Sequence, residues 1–350
     1  MNNKPTQRET NPFPYSSDNK RYQTFNYFLR QKFGQKVFKV SLNSGLSCPN
    51  LDGRKGKGGC TYCSKLGSGD FAGNPSDSIE KQFDCVRDKM LEKWHDAKYI
   101  AYFQARTNTY APLEKLKSLY EPALKKEGVV GLSIATRPDC ISNSCLDYLS
   151  ELNERTFLMV ELGLQTVNDE TGKRINRGHT YSDFLRCYER LSKRGIGVCV
   201  HIINGLPLET REDMLKTARE LARLNPFSLK IHLLHIIRET KMAEEFLRGD
   251  FGFGCADDIL RGESLFNEDG SCKGLCLDSI YPFTLEEYVS LVCDQLELMP
   301  KETVIQRITG DGKKEDLIAP LWSLKKMVIM NEIDKELLRR NSYQGIYYKK

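Results

Sequence analysis

The stretch "SCPNLDGRKGKGGCTYCSKLGSGDFAG", residues 47–73, contains three of the chain's twelve cysteines. Eleven residues separate Cys48 from Cys60, and two separate Cys60 from Cys63. The residues around them are mostly Gly, Lys, Asn and Asp, so no apolar run is available to bury these thiols. Three is an odd number for disulfides, and a closed structural zinc site needs four ligands. The spacing favours a centre that uses three thiolates, with structural zinc as the weaker alternative.

Apolar runs typical of β-strands alternate with amphipathic stretches typical of helices through the first two thirds of the chain. The predicted strands are residues 36–42, 99–103, 129–135, 157–164, 197–203 and 228–234. The predicted helices are residues 78–94, 112–126, 144–153, 181–194 and 211–224. Strands that alternate with helices form parallel sheets, so six such units predict an α/β fold, a partial (β/α)6 barrel. Its active site would lie at the carboxyl ends of the strands, where the cysteines follow the first strand.

Four segments are expected along the chain. Residues 1–20 are polar and rich in Pro and Asn, which predicts a flexible N-terminus. The barrel covers residues 21–248 and includes the cysteine loop, defined as residues 44–73. A region rich in Gly, Asp and Ser at 249–284 predicts an inserted lobe, and a C-terminal helical extension follows at 285–350.

Composition limits the environment and the partners. The net charge is +5, from 52 Lys+Arg and 47 Asp+Glu, which permits a polyanionic partner without requiring one. No apolar run approaches the ~18 residues of a membrane span, and the N-terminus lacks a signal peptide. Many cysteines without a secretory signal predict a reducing, cytoplasmic location. Three of them, Cys255, Cys272 and Cys276, would suit an auxiliary cluster or zinc, although incidental thiols are the favoured interpretation.

Three thiolates are one fewer than the four that normally hold a 4Fe–4S cluster. An open iron is the arrangement that radical S-adenosylmethionine (SAM) enzymes use: it accepts the amino nitrogen and carboxylate of SAM, whose reductive cleavage gives a 5′-deoxyadenosyl radical. The protein then supplies binding, orientation and exclusion of water. Tyr62, immediately before the third cysteine, provides the hydrophobic side chain that suits this role.

From about Arg21 to Gly345 the chain resembles the radical SAM superfamily, in the branch of the oxygen-independent coproporphyrinogen oxidases and the elongator catalytic subunit. More narrowly, it resembles a bacterial family whose cysteines have the same long spacing; the wider superfamily motif has three residues between its first two cysteines. The resemblance implies that Cys48, Cys60 and Cys63 bind a 4Fe–4S cluster and that SAM is the second cofactor.

Two further motifs carry the resemblance. "ELGLQTVNDETGKRINRGHT", residues 161–180, is similar to the fourth-strand segment of the family. It implies that Gln165 reaches the ribose hydroxyls of SAM and that Arg177 pairs with its carboxylate. "HIINGLPLET", residues 201–210, is similar to the fifth-strand motif and implies that His201 lies against the ribose. A core histidine at this position is the open alternative.

The second strand departs from the family pattern. Many relatives end this strand in Gly-Gly-Glu, which receives the amino group of SAM, whereas this chain has "YFQARTNTYAP" at residues 102–112. We therefore expect Gln104, Arg106, Asn108 or Tyr110 to take that role or to face the substrate.

The third strand departs as well. It ends in "SIATRPDC", where the porphyrinogen-oxidising relatives carry a Glu. Ala135 cannot bind SAM through its side chain, so Arg137 or Asp139 is the expected substitute. Tetrapyrrole chemistry is therefore disfavoured.

The narrower family implies a tRNA substrate. Its expected reaction converts 5-carboxymethylaminomethyluridine at the wobble position to 5-aminomethyluridine, with electrons from a reductant such as flavodoxin or ferredoxin. A separate methyltransferase would act on the amine product. Residues 306–326 and 339–350 supply basic and aromatic side chains for RNA. The alternative is that Leu321, Trp322 and Leu324 are the core face of a helix.

Two other classes of protein stay open at the level of sequence. A radical SAM enzyme that acts on a small metabolite or a protein side chain would share every motif named above. A non-catalytic metal-binding protein would keep the cysteines but would not need the pair Gln165 and Arg177.

Overall fold

The computed structural model of the protein describes residues 11–67, 69, 71–91, 96–248 and 282–349. Nearly all of the predicted lobe, including Cys255, Cys272 and Cys276, lies outside these residues. The same holds for the first ten residues of the predicted flexible N-terminus. The described residues 11–20 pack against the rest of the chain, since Phe13 is buried and Lys20 forms an ion pair with Asp334.

A parallel sheet forms the centre of the fold. The strands in chain order are β1 (Val37–Leu42), β2 (Lys98–Phe103), β3 (Val129–Thr136), β4 (Phe157–Gln165), β5 (Gly197–Asn204), β6 (Ser228–Leu233), β7 (Ile236–Ile237), β8 (Val304–Arg307) and β9 (Leu317–Ala319). The first six and β8 form one seven-stranded sheet in the order β1-β2-β3-β4-β5-β6-β8, and all its pairs are parallel. β7 and β9 form a separate antiparallel pair.

Helices follow most of the strands. They are α1 (Phe25–Phe33), α2 (Ile79–Leu91), α3 (Leu113–Leu124), α4 (Asn143–Arg155), α5 (Asp169–Arg174), α6 (Tyr181–Ser192), α7 (Arg211–Leu224), α8 (Lys241–Arg248), α9 (Leu285–Leu298) and α10 (Lys326–Arg339). Thr180 and Thr210 begin α6 and α7 with reciprocal side-chain and backbone bonds to the third helical residue, an aspartate in both cases. These bonds pair backbone groups that the first helical turn otherwise leaves unpaired.

The sheet is curled. In a flat sheet, the six strand-to-strand steps from β1 to β8 would separate these strands by roughly 29 Å. Instead, Nζ of Lys39 on β1 lies 2.6 Å from Oε1 of Gln306 on β8. The same ammonium group lies 2.5 Å from Oε1 of Glu161, at the middle of the sheet. The seven strands therefore form a half-barrel whose concave side contains side chains from opposite edges.

The two faces of the sheet differ in polarity. Most of the alternate residues on one face of the seven-stranded sheet pack against the helices and belong to the main apolar core, as Val40, Ile134, Val160 and Val200 do. The residues between them face the concave side, and many are polar: Lys39, Ser41, Tyr102, Ser133, Glu161, His201, Lys230 and His232. This two-residue alternation makes the interior of the half-barrel a polar site instead of an apolar core.

The six predicted strands and the predicted parallel barrel are confirmed. The seventh strand, β8, was not predicted, and it comes from the region in which the sequence indicated helices. That region contains α9 and α10 as expected, together with β8 and β9.

Candidate functional site

A cavity of about 880 Å³ opens at the carboxyl ends of the strands. All seven site residues predicted from the sequence line it: Cys48, Cys60, Tyr62, Cys63, Gln165, Arg177 and His201. They come from the cysteine loop after β1, from the end of β4 and the segment beyond it, and from β5. The curl of the sheet therefore brings distant parts of the chain to one place.

The three cysteines are half-buried at the edge of this cavity. Each is held in a tight backbone turn. The carbonyl of Cys48 accepts hydrogen bonds from the amides of Leu51 and Asp52, at 2.8 and 3.1 Å. The amide of Cys63 donates to the carbonyl of Cys60 at 3.0 Å. These turns fix the backbone that carries the three thiols.

The long insertion between the first two cysteines docks on the segment that follows α5. The side chain of Asn176 donates to the carbonyls of Lys57 and Gly59, at 3.2 and 2.7 Å, and the amide of Thr61 donates to Ile175 at 3.0 Å. In return, the side chain of Asn50 donates to the carbonyl of Asn176. The eleven-residue spacing is thus the length that lets the loop contact the segment after β4.

One cation lies beside the thiols. Arg137 binds the carboxylate of Asp139 with two bonds of 2.9 and 3.0 Å, and it donates to the carbonyl of Arg177 at 2.7 Å. Burial lowers the pKa of Arg137, but Asp139 outweighs that effect and the net direction is upward. Burial raises the pKa of the Cys60 thiol, and Arg137 opposes this rise. The guanidinium therefore favours the thiolate form that a metal ligand requires.

Arg177 is 1% exposed and is mostly occupied by the protein itself. Its guanidinium donates to the carbonyls of Leu164, Thr166 and His179, at 2.8, 2.6 and 2.9 Å, and to Asp169 at 2.9 Å. A guanidinium has five N–H groups, so these bonds within the described chain leave one, on Nη2. Contact between Arg177 and the SAM carboxylate stays a prediction. This contact would have to use the remaining N–H on Nη2.

Gln165 ends β4 in an unusual conformation. Its φ is +71°, in the left-handed region, and the pairing of β4 with β5 shifts register between Gly163 and Gln165. Such a bulge turns the side chain out of the ladder, and here it lines the cavity. Strained residues of this kind cluster at functional sites, which supports the predicted role of Gln165 without testing it.

His201 contacts the centre of a buried polar network. Burial lowers its pKa to about 4, Lys230 acts in the same direction, and Glu161 opposes them. The ring is therefore neutral, and its Nε2 lies 2.7 Å from an oxygen of Glu161. Because the pKa of Glu161 is well below its usual value, that oxygen accepts the bond and Nε2 carries the hydrogen. A ribose hydroxyl would then donate to Nδ1, and this contact stays a prediction.

The network around Glu161 was not found from the sequence. Its carboxylate accepts hydrogen bonds from five side chains of the sheet: Lys39, Tyr102, Ser133, His201 and Lys230. These residues come from five different strands, so no local motif joins them. A polar residue at alternate positions of otherwise apolar strands is the signal that could have found them.

The candidate SAM or substrate contacts at the ends of β2 and β3 differ in whether they line the cavity. Gln104, Arg106 and Arg137 line the cavity. Asn108 is fully buried, and its amide bonds to the carbonyls of Phe103 and Ala135 at 3.0 and 2.8 Å. Asn108 is therefore a structural residue, contrary to its place among the expected candidates. Tyr110 and Asp139 are not among the residues that line the cavity.

A second group of possible metal ligands lies deeper. Ligand atoms of Glu161, Cys199 and His201 are within 4.8 Å of one another. Two ammonium groups, from Lys39 and Lys230, already occupy the carboxylate of Glu161 at 2.5 Å each. A cation would have to displace them, so the arrangement is better explained as a charge network than as a metal site.

Comparison with known proteins agrees with the geometry. A model of the radical SAM superfamily matches residues 53–221, and a model of a radical SAM C-terminal domain matches residues 278–339. YtqA of Bacillus subtilis is 48% identical, over 98% of this chain and 97% of its own length. The protein belongs to the radical SAM superfamily.

Two other matches come from one archaeon, Methanocaldococcus infernus. A tRNA uridine(34) acetyltransferase of Methanocaldococcus infernus is 30% identical over 142 residues, which are 40% of this chain and 26% of that protein. The structure of Elp3 from the same organism shares the fold, with a TM-score of 0.62 at 18% identity. It covers 89% of this chain, and the chain spans 64% of that structure.

The cofactors of this radical SAM protein are a 4Fe–4S cluster and SAM, and the cavity suits both. Thiolates are the usual protein ligands of such clusters, and three of them line the cavity, which would leave one iron for SAM. We assign Cys48, Cys60 and Cys63 to the cluster as our proposal, with Tyr62 packed behind them against the apolar group that includes Ile175 and Leu206.

The described part of this radical SAM protein contains no helix that is both long enough and apolar enough to cross a membrane.

Proposed function

We propose that this protein is a tRNA-modifying radical SAM enzyme of the cytoplasm. Its reaction would convert wobble 5-carboxymethylaminomethyluridine to 5-aminomethyluridine. The observation that carries the proposal is the similarity to tRNA uridine(34) acetyltransferase over 142 residues, because that relative is named for action on the same nucleoside position.

The mouth of the cavity has the charge expected for an RNA substrate. Exposed cations lie on the cysteine loop and on the first turn of α8: Arg54, Lys55, Lys57, Lys65 and Lys241. Three of them, Lys57, Lys65 and Lys241, line the cavity. Lys65 pairs with Glu239 at 2.7 Å, and the others are available to phosphate groups. A small metabolite would have no use for so wide a basic rim.

Exposed apolar side chains also lie at this mouth. Phe71, from the cysteine loop, is 55% exposed and lines the cavity, where a splayed base could stack on it. Trp322, by contrast, packs on the core and its indole donates to the carbonyl of Phe283 at 2.8 Å. The core-face interpretation therefore holds for Trp322. It is wrong for Leu321 and Leu324, which are 52% and 37% exposed.

The chemistry requires removal of a carboxymethyl group from a secondary amine. The bound cofactors supply a radical that takes a hydrogen atom from the carbon between the amine and the carboxylate. Loss of one further electron, which would return to the iron–sulfur centre, and of the proton on the nitrogen would give an imine. Water would hydrolyse this imine to the primary amine and glyoxylate, so that SAM is the net two-electron oxidant. The chain's residues would hold the nucleoside, exclude other water and keep its carboxylate in place. A flavodoxin or ferredoxin would supply electrons, and a methyltransferase would act on the product.

An anaerobic assay tests the proposal. The protein is reconstituted with iron and sulfide and given dithionite and SAM, with or without tRNA that carries carboxymethylaminomethyluridine. We expect 5′-deoxyadenosine to rise with tRNA and nucleoside mass spectrometry to show loss of the carboxymethyl mass. If deoxyadenosine forms equally without RNA and no nucleoside changes, the substrate is a metabolite or a protein side chain. Zinc in place of iron and sulfide would indicate a non-catalytic protein.

A further inference from the structure

One wall of the cavity has buried polar atoms that the described chain does not pair. His232 is on β6, and His235 follows two residues after its end. Both rings line the cavity, and Nε2 of each is buried and has no partner among the described residues. Buried polar atoms are nearly always hydrogen-bonded, so two unpaired imidazole nitrogens on one wall indicate a ligand group that completes them.

The side chain of His235 is held in place by the residues packed around it. The residue is only 9% exposed, and its ring lies against the loop after β8. A Cβ at Gly310 would be 2.6 Å from Cε1 of the ring, and one at Gly312 would be 3.1 Å from Nδ1. Glycine at both positions therefore allows the backbone to pack against the imidazole and to hold it in one orientation.

The charges beside these rings favour an anion. Three cations, Lys39, Lys230 and Arg307, pair with only two carboxylates, Glu161 and Asp311, which leaves one positive charge in excess. Nζ of Lys230 bonds to Glu161 at 2.5 Å and to the hydroxyl of Tyr102 at 3.1 Å, so one of its three N–H groups remains within the described structure.

The imidazoles themselves are uncharged. Burial lowers the pKa of His232 well below its usual value, and His201 and Arg307 act in the same direction. Burial likewise lowers the pKa of His235 to about 4, against the opposing effect of Asp311. A neutral imidazole donates one N–H. The wall therefore offers neutral donors beside cations, which is the set that a carboxylate accepts.

We propose that His232, His235 and Arg307 form a carboxylate-binding subsite for the substrate, which selects the carboxymethylated side chain of the nucleoside. This inference rests on the proposed function. SAM also carries a carboxylate, but that group is predicted to bind the open iron and Arg177. Its ribose is predicted to contact Gln165 and His201, and the ring centroid of His201 lies 5.2 Å from that of His232. The subsite is on β6 and β8, whereas the cysteine loop follows β1 at the opposite edge of the sheet.

The subsite would both select the carboxylated substrate and orient its side chain. Two neutral donors and one guanidinium fix a planar carboxylate, and charge-assisted bonds of this kind are stronger than neutral ones. The carbon next to the carboxylate then faces the centre of the cavity. The amine product lacks the carboxylate, so it would be bound more weakly and released.

Binding of two synthetic anticodon stem-loops tests the subsite directly. One carries carboxymethylaminomethyluridine at the wobble position, and the other carries its neutral carboxamide counterpart. Fluorescence anisotropy is measured anaerobically on cluster-loaded protein with SAM present. We expect the wild type to prefer the carboxylate RNA at least tenfold. Arg307→Gln and His232→Phe should each remove most of that preference by weakening only the carboxylate RNA.

A matched control shows whether loss of an ion pair with Asp311 is by itself enough to change RNA binding. Lys326 also contacts Asp311, at 2.8 Å, but it does not line the cavity. Lys326→Gln should therefore keep the full preference. SAM affinity, measured in parallel by calorimetry, should be unchanged in Arg307→Gln. Thermal unfolding of each variant shows that any loss of preference is not a loss of fold.

The outcomes separate this inference from the proposed function. If the wild type converts the nucleoside but Arg307→Gln and His232→Phe both keep the carboxylate preference, the subsite is wrong and the function stands. Loss of SAM affinity with an unchanged RNA preference would assign these groups to the cofactor and overturn the inference. If the wild type binds neither stem-loop, the tRNA function fails and the subsite fails with it.

Discussion

At the scale of single residues, Glu161 shows how the half-barrel interior is stabilised. Its side chain is completely buried, and ammonium groups from Lys39 and Lys230 lie on either side of its carboxylate. Burial lowers the pKa of Lys39 to about 8, and Glu161 opposes this change. One carboxylate thus holds two buried cations, and each would be strongly destabilising without it.

Glu161→Gln should therefore cost about 3–5 kcal/mol in the free energy of unfolding, since it leaves two buried lysines without a counter-charge. Anaerobic urea unfolding measures the loss. The double variant Glu161→Gln with Lys39→Met should be more stable than the single variant, because it removes one of the unbalanced cations. Glu170→Gln, in an exposed pair with Lys173, is the control and should show no measurable change. A single variant as stable as the wild type would contradict this account.

The three cysteines permit an equally direct prediction. Changing Cys48, Cys60 or Cys63 to Ala should reduce bound iron and lower SAM cleavage at least 100-fold, because two thiolates cannot hold the cluster in place. Iron analysis and the yield of 5′-deoxyadenosine measure both effects. Cys85→Ala is the matched control, since Cys85 is exposed on α2 and does not line the cavity. Cleavage retained by one of the three variants would remove that residue from the ligand set.

The sequence predicted the position of these cysteines but not their surroundings. The thiols were recognisable because their spacing is local. Glu161 was not, because its partners are on separate strands and meet only when the sheet curls. Arg177 shows a related limit: its motif was recognisable, whereas the carbonyls of Leu164 and Thr166 that occupy it have no signature in the sequence.

At the scale of elements, the cysteine loop behaves as a docked unit. Its contact with the segment after α5 depends on a backbone that approaches closely. Gly178 has a φ of +76°, and a Cβ there would be 2.6 Å from Oδ1 of Asn50. Asn50 in turn donates to the carbonyl of Asn176. Any side chain at residue 178 would therefore push the loop away from the barrel.

Gly178→Ala should lower cluster occupancy and increase proteolysis within the cysteine loop, while most of the fold persists. Gly195→Ala is the matched control, because Gly195 also has a positive φ, +67°, but has nothing within 4 Å of the added Cβ. The control carries only the conformational cost of alanine in the left-handed region. Iron content and limited proteolysis compare the two variants. Equal behaviour would show that backbone strain, and not the contact with Asn50, is the cause.

The elements themselves were largely predictable. The predicted strand 157–164 is observed as Phe157–Gln165, and the predicted helix 211–224 is observed unchanged. Buried parallel strands form continuous apolar runs, and capped amphipathic helices have clear starts. β8 was missed because it has only four residues and ends in Gln306 and Arg307, which do not form an apolar run.

At the scale of the whole molecule, the site combines a polar interior with a basic mouth. The cations at the mouth belong to the cysteine loop and to α8, which contact each other where the amide of Met242 donates to the carbonyl of Thr61 at 2.9 Å. The net charge of +5 is small, so it is this local grouping that favours RNA. An RNA that binds here should release counterions in proportion to the phosphates that it places against these cations.

Binding of tRNA should accordingly weaken steeply as salt increases. Lys57→Gln and Lys241→Gln should each reduce the slope of log Kd against log salt by about 0.7 if each cation contacts one phosphate. Anisotropy titrations over a range of salt concentrations measure the slope. Lys193→Gln is the control, since Lys193 is exposed at the end of α6 and does not line the cavity. Slopes that are the same in all four proteins would mean that RNA does not approach this mouth.

The contact between Lys39 and Gln306 has a further consequence for access. It joins the two edge strands of the sheet, and Gln306 also reaches Ser228 at 2.9 Å. The half-buried side chains of Lys39 and Gln306 therefore close the half-barrel beneath the cavity. The cavity is therefore closed at its base, so a polymer that binds at the mouth would reach the interior by turning a single unit out of its chain and not by threading through the barrel.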